Sequence, residues 1–291
     1  MSTLDHSRRE ALKLMGLGAV AFAFSEFKPN SSRRYKAKIG LQLYTVRKAI
    51  ERDFEGTLKR IAEIGFFGIE YYPLPENITT EHAAKVFKDL KLVVLGMHTP
   101  LPVGDQQDAV VKLAETFDCN RVIYPGWPQG EKYKNLEATR HTAEMYDEAA
   151  TFLKTKGLQF GLHNHWWEFE KTDGIYPFYY LLEHLDKGIF FEIDTYWAKT
   201  GGRNPAKAVR DFGKRAPLLH IKDGPAVKGD TMYNQVPAGE GSLDFPAIVK
   251  AGGKNIEWMI VEFDEYDKDI FDGIKKSYTF LTKNGLAEGK K

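Results

Sequence analysis

From Lys38 onward, short runs of alternating or continuously apolar residues recur, each followed by a stretch whose apolar positions repeat near every 3.6 residues. The short runs predict strands at Lys38–Tyr44, Gly68–Tyr72, Leu92–His98, Arg121–Tyr124, Gln159–His163, Ile189–Asp194, Leu218–Ile221 and Trp258–Phe263. The longer period predicts helices at Phe54–Ile64, Glu81–Leu90, Ala109–Phe117, Arg140–Lys154, Pro177–Leu185 and Pro205–Phe212. Another short helix follows Ser242, and a last one runs across Ile270–Leu281. Gly65 and Gly157 sit where C-caps belong, and Asp53 and Ser242 where N-caps belong. Strand and helix in strict alternation imply an α/β protein with a parallel sheet, and this number of units closes a (β/α)8 TIM barrel. The first strand leads into Tyr44-Thr45-Val46-Arg47 and not into a glycine-rich phosphate turn, which argues against an open dinucleotide-binding sheet. The longest irregular stretch, 224–241, follows the seventh strand and is a candidate substrate lid.

In such a barrel the chemistry sits at the C-terminal ends of the strands. Polar residues stand there on nearly every strand: Glu70, His98, His163-Asn164-His165, Asp194, His220 and Glu262. Alternation sharpens the set. If Phe160 and Leu162 face the helices, then Gly161, His163 and His165 face inward. Glu192 shares a face with Asp194, which lies nearer the rim; Leu218 leads to His220, and Ile260 to Glu262. His163 or His165, Asp194, His220 and Glu262 therefore form one expected cluster. Buried ionised groups need partners, and a divalent cation provides one. Carboxylate and imidazole donors without thiolates suit Mn, Zn, Co or Mg.

Composition removes several classes. The chain has 291 residues, 43% of them hydrophobic, and carries 41 basic against 40 acidic side chains. A formal net charge of +1 offers no general attraction to nucleic acid or to an anionic membrane. The lone Cys119 excludes an internal disulfide and a multi-cysteine zinc site, and its apolar setting reads as a small buried residue. No Pro/Gly/Ser-rich linker divides the barrel region.

The N-terminus differs from the rest. Ser7-Arg8-Arg9-Glu10-Ala11-Leu12-Lys13 precedes an uncharged run from Leu14 to Ser25, too short to span a bilayer. It resembles a twin-arginine export signal, with Ala11 where that pattern often has Phe. The expected organisation is an export signal and short linker at 1–34 and one barrel domain at 35–291, released to the periplasm without stable membrane insertion.

The stretches Gly40-Leu41-Gln42-Leu43-Tyr44-Thr45-Val46-Arg47, Gly68-Ile69-Glu70-Tyr71-Tyr72 and His163-Asn164-His165-Trp166-Trp167-Glu168-Phe169 carry a family resemblance. So do Asp194-Thr195-Tyr196-Trp197, His220-Ile221-Lys222-Asp223-Gly224, Gly239-Glu240-Gly241-Ser242-Leu243-Asp244-Phe245 and Val261-Glu262. From Lys38 to the C-terminal helix the chain resembles the xylose-isomerase-like barrels, the sugar phosphate isomerases/epimerases. The resemblance implies one divalent ion held by Asp194, His220 and Glu262. The fifth-strand ligand of the epimerases is commonly a Glu that also acts as a base; here that place falls in His163-Asn164-His165, with Glu168 just beyond. Either a His, with His165 the expected choice, is the fourth ligand, or Glu168 reaches back to the ion and a His is the base.

The chemistry expected is proton abstraction next to a sugar carbonyl through a metal-stabilised enediolate, with His163, His165, Glu168 or Glu262 as base. Lys222 is expected to steady the oxyanion and Asp223 to orient His220. Glu70, His98, Asp223 and the rings of Trp127, Trp166 and Trp197 are expected around the substrate. Return of the proton gives an epimer or isomer, and loss of a β-leaving group makes the enzyme a lyase or hydratase on 3-keto-glycosides. Export and the absence of an Arg/Lys phosphate cradle favour an unphosphorylated sugar. An endonuclease, as in a related branch of the superfamily, would need a basic groove; a non-catalytic exported sugar-binding protein would need aromatic platforms but no converging His/Asp/Glu set.

Overall fold

The computed structural model describes residues 36–290; the twin-arginine-like segment lies outside the described residues. The parallel strands β1 (Ala37–Gln42), β2 (Gly68–Tyr71), β3 (Val93–His98), β4 (Arg121–Tyr124), β5 (Gln159–His163), β6 (Phe190–Asp194), β7 (Leu218–Ile221) and β8 (Trp258–Val261) pair in sequence order. Pairing of β8 with β1 and of β1 with β2 closes the barrel, so the TIM-barrel expectation holds. A two-residue strand, β9 (Ala287–Glu288), adds to the start of β1. No helix of the described residues is long and apolar enough to cross a membrane.

Alternation divides the core. Ile39, Leu41, Phe160, Leu162, Phe191, Ile193, Leu219 and Val261 point outward into the shell beneath the helices. Leu95, Ile123, Phe190, Leu218, Trp258 and Ile260 fill the barrel's interior. Glycines make room for them: a Cβ on Gly161 would lie 2.2 Å from the Phe190 ring, and one on Gly40 would lie 2.4 Å from Leu95. Asp53 caps the helix Phe54–Ile64 by accepting from the Gly56 N–H, and Gly65 ends it at φ 114°.

Several boundaries shift by a few residues from the sequence expectation, and three shifts have a clear hydrogen-bonded cause. β1 stops at Gln42, because the Gln42 amide oxygen accepts from the Tyr44 N–H and turns Leu43–Val46 into a 3-10 helix. β8 stops at Val261, where the Phe263 N–H leaves the sheet for Thr45 Oγ1. The helix Phe245–Gly252 is capped not by Ser242 but by Asp244, which accepts from the Ala247 N–H; Ser242 Oγ instead donates to the Gly224 carbonyl, 2.6 Å away.

Candidate active site

On every strand except β4, whose inward residue is the apolar Ile123, a polar side chain at or just past the strand end reaches one mouth of the barrel. Glu70 (β2), His98 (β3), His163 (β5), Glu192 and Asp194 (β6), His220 (β7) and Glu262 (just past β8) are all buried. Glu192 Oε2 lies 2.8 Å from His98 Nε2, 3.0 Å from His163 Nδ1 and 3.1 Å from His220 Nε2. His220 spans the cluster, with Nδ1 2.5 Å from Glu262 Oε2 and Nε2 2.6 Å from Glu70 Oε2. Lys222 Nζ pairs with Asp194 (3.0 Å), Glu262 (2.8 Å) and Asp264 (2.9 Å).

These contacts set the protonation states. Burial opposes charge on His220, yet the carboxylates of Glu192, Glu262 and Glu70 outweigh it and hold the imidazole well above its usual range. Burial likewise opposes ionisation of Glu262, but Lys222 and His220 keep its carboxyl well below the usual range. The Lys222 ammonium survives burial because Asp194, Asp264 and Glu262 surround it. Burial, with His220 nearby, pushes His163 down to about 3, so it is a neutral imidazole facing an ionised Glu192. Burial raises Asp194 to about 6, partly offset by Lys222.

Two groups within this cluster can each bring their ligand atoms within 4.8 Å of one another: Asp194, His220 and Glu262, and His98, His163, Glu192 and His220. Glu70 Oε1, Glu192 Oε1 and His165 Nδ1 are buried without hydrogen-bond partners among the described residues. Of five carboxylates here, Asp194, Glu262 and Asp264 share Lys222, while Glu70 and Glu192 pair with His220. A donor set of carboxylate oxygen and imidazole nitrogen, with acceptor oxygens to spare, fits a hard or borderline divalent cation.

Above the cluster opens a cavity of about 860 Å³, lined by His98, His163, His165, Trp197, Lys222 and Glu262, among others. Its volume lies toward the upper end of small-molecule sites, about 300–1,000 Å³. His165 stacks on Trp167 (centroids 4.3 Å apart, 10° between planes) and turns an edge to His163. Trp127 stands on the cavity wall, and Lys222 Nζ lies 5.4 Å from the centroid of the buried Trp197 ring.

Other expected site residues point elsewhere. Glu168 is buried on a 3-10 turn, accepts from the His165 N–H at 2.8 Å and does not line the cavity. Burial pushes it up to about 8. Trp166 packs on Trp167 and Trp197, away from the cavity wall. The Asp223 carboxylate turns into the loop after β7, accepting from the N–H groups of Gly224, Gly239, Gly241 and Leu243. That loop carries Tyr233 to the cavity, and Gln235 fastens it by exchanging two 2.7 Å hydrogen bonds with Asp264. Cys119 is buried, and burial pushes its thiol up to about 11, as suits a structural residue.

Glu192, Gln42 and Asp264 also enter the site, although none was expected there from the strand ends alone. Each carried a signal: Glu192 and Asp264 stand two residues from Asp194 and Glu262 on the same face. Gln42, which donates to Glu70 at 2.6 Å, ends β1 opposite Glu70 itself.

The family model for the xylose isomerase-like TIM barrel matches residues 58–283. The chain belongs to that family. Among solved structures, a sugar phosphate isomerase/epimerase from Parabacteroides distasonis aligns at 24% identity over 89% of this barrel-bearing chain and 98% of its own, TM-score 0.73. A probable 3-DHS dehydratase involved in petrobactin synthesis from Bacillus anthracis aligns at 16% identity over 84% and 98%, TM-score 0.68. An L-ribulose 3-epimerase aligns at 18% identity over 86% and 94%, TM-score 0.64. At these identities the likeness is one of fold. No curated protein matches the chain significantly.

Proposed function

We propose that this xylose isomerase-like barrel is a divalent-metal-dependent sugar isomerase or epimerase that moves a proton at the carbon beside a carbonyl. The observation that carries the reading is the convergence of Asp194, His220 and Glu262 beneath a cavity walled by His163, His165 and Lys222. Asp194, His220 and Glu262 would hold the ion, with His163 the β5 side chain nearest to them: its Nε2 lies 3.9 Å from Asp194 Oδ2. A bound ion supplies Lewis-acid polarisation of the carbonyl. His165, on the cavity wall and kept a neutral imidazole by burial, would accept the proton. The Lys222 ammonium, fixed by three carboxylates, faces the oxygen that gains charge. The twin-arginine-like N-terminus supports export to the periplasm and, with it, an unphosphorylated sugar substrate.

A second reading, elimination or hydration on 3-keto-glycosides, is favoured by the volume of the cavity, about 860 Å³. The fold neighbours named epimerase and dehydratase support treating both outcomes together.

The test is NMR in D₂O with metal-loaded protein and a panel of ketoses, aldoses and 3-keto-glycosides. Deuterium entering a recovered sugar or its epimer, abolished by Glu262→Gln and by EDTA, supports the isomerase or epimerase. Release of the aglycone with an unsaturated keto-sugar makes it a lyase. Absence of exchange with every substrate, despite stoichiometric metal, defeats both readings.

A further inference from the structure

The catalytic cavity has two unlike halves. Its floor, at the strand ends, is His98, His163, His165, Lys222 and Glu262. Its outer wall is built by the loops that follow: Tyr44 after β1, Tyr72 after β2, Leu101 after β3, Trp127 after β4 and Tyr233 after β7. Aromatic contacts hold most of these rings, to one another or to rings beneath them. Tyr44 and Tyr72 meet edge to face at 4.9 Å, Tyr233 meets Trp197 at 5.5 Å, and Trp127 leans on His165 and Trp167 at 5.5 and 5.6 Å. Trp127 is nonetheless 58% exposed. The other large hydrophobics exposed among the described residues, Val93 and Val227, do not line the cavity.

A monosaccharide engages the polar floor and leaves that wall in water. A costly exposed indole set beside other apolar side chains is the mark of a binding surface. Charge narrows the occupant. Among the described residues Lys222 is the one Lys or Arg lining the cavity, and three carboxylates already hold it. Glu262 and Asp264 line the same space paired with that lysine, and Glu265 is paired with Arg47, so among the described residues no lining Lys or Arg is left to receive a phosphate or carboxylate.

We infer that the natural substrate is an uncharged glycoside that carries its reacting carbonyl on the sugar ring, as a 3-keto-glycoside does, with that sugar on the floor and a planar, apolar second group held against Trp127 and the neighbouring outer wall. This rests on the sugar chemistry proposed above and adds the aglycone class. Trp127 is then a specificity-determining residue.

Calorimetric titration of the mature chain with three unreactive probes tests this without turnover: p-nitrophenyl β-glucoside, methyl β-glucoside and glucose 6-phosphate. The aryl glycoside binds about tenfold more tightly than the methyl glycoside, the size of one good aromatic stack plus its buried area. Glucose 6-phosphate does not bind. Trp127→Ala removes most of the aryl glycoside's advantage over the methyl glycoside, while Trp127→Phe restores much of it. Equal affinity for the two glycosides, no binding of the aryl glycoside, tightest binding of the phosphate, or an aryl preference untouched by Trp127→Ala each overturns the inference. Aryl selectivity without deuterium exchange would sink the proposed reaction and leave this inference standing.

Discussion

The interior of the barrel holds two layers, built by the same strands and governed by opposite physics. Toward the N-terminal ends, Phe190, Leu218, Trp258 and Ile260 fill the space with carbon. Two residues further along the same strands stand Glu192, His220 and Glu262, equally buried. A step of two residues, about 7 Å, therefore separates a core from a charged site. The lower layer is stable because each group leaves water, and no neighbour has to be of one particular type. In the upper layer each charge survives burial only because of named partners, so removing one strands the others. Burial alone therefore says nothing about tolerance to change.

The sharpest way to break the contrast is Lys222→Met. It leaves Asp194, Glu262 and Asp264 without their shared cation. A loss of about 3–5 kcal/mol in stability is expected in the absence of metal, with turnover down about 10²–10³-fold. Urea denaturation with and without Mn²⁺ or Zn²⁺ checks it, because added ion recovers part of the stability. A variant as stable as the parent in EDTA would show that the three carboxylates do not depend on this lysine.

Phe190→Ala tests the lower layer. It opens a cavity beside Gly161 and costs about 3–5 kcal/mol, but activity per folded molecule stays within about twofold of the parent. Comparing denaturation midpoint with specific activity reveals the difference. A large loss of turnover at full folding would mean that the layers are mechanically coupled.

Glu168 tests whether buried charge behaves alike outside the cluster. Its folded value of about 8 lies above its ordinary value, so the native state keeps a proton that the unfolded chain releases. The contribution is fully present below the unfolded value and is lost as pH rises through about 8. Stability should therefore fall by about 1.4 kcal/mol per pH unit across that window. Glu168→Gln flattens this segment of the stability–pH curve, as thermal melts from pH 4 to 9 would record. An unchanged slope would place the titration on another group.

The smallest effect expected is a control on the outer ring. Asp244→Ala removes the cap on Phe245–Gly252 and costs about 1 kcal/mol without changing turnover. Chemical denaturation beside a kinetic assay reads both quantities.

Strand and helix periods are local, and the sequence accordingly determined the closed barrel, nearly all element positions and the inward faces that deliver Asp194, His220 and Glu262. The same faces also held Glu192 and Asp264, but alternation gives a direction and not a neighbour. Only closure of the barrel makes Glu192 the meeting point of three imidazoles, and it joins His220 to Glu70 across 150 residues of chain. Short motifs could not show that Asp223 turns to four loop N–H groups, or that Glu168 folds back on the His165 N–H. Those orientations belong to loops, whose hydrogen bonds carry no sequence period. Local pattern decided which side chains could enter the mouth of the barrel; tertiary packing and Coulomb forces between distant segments decided which of them meet and what charge each carries.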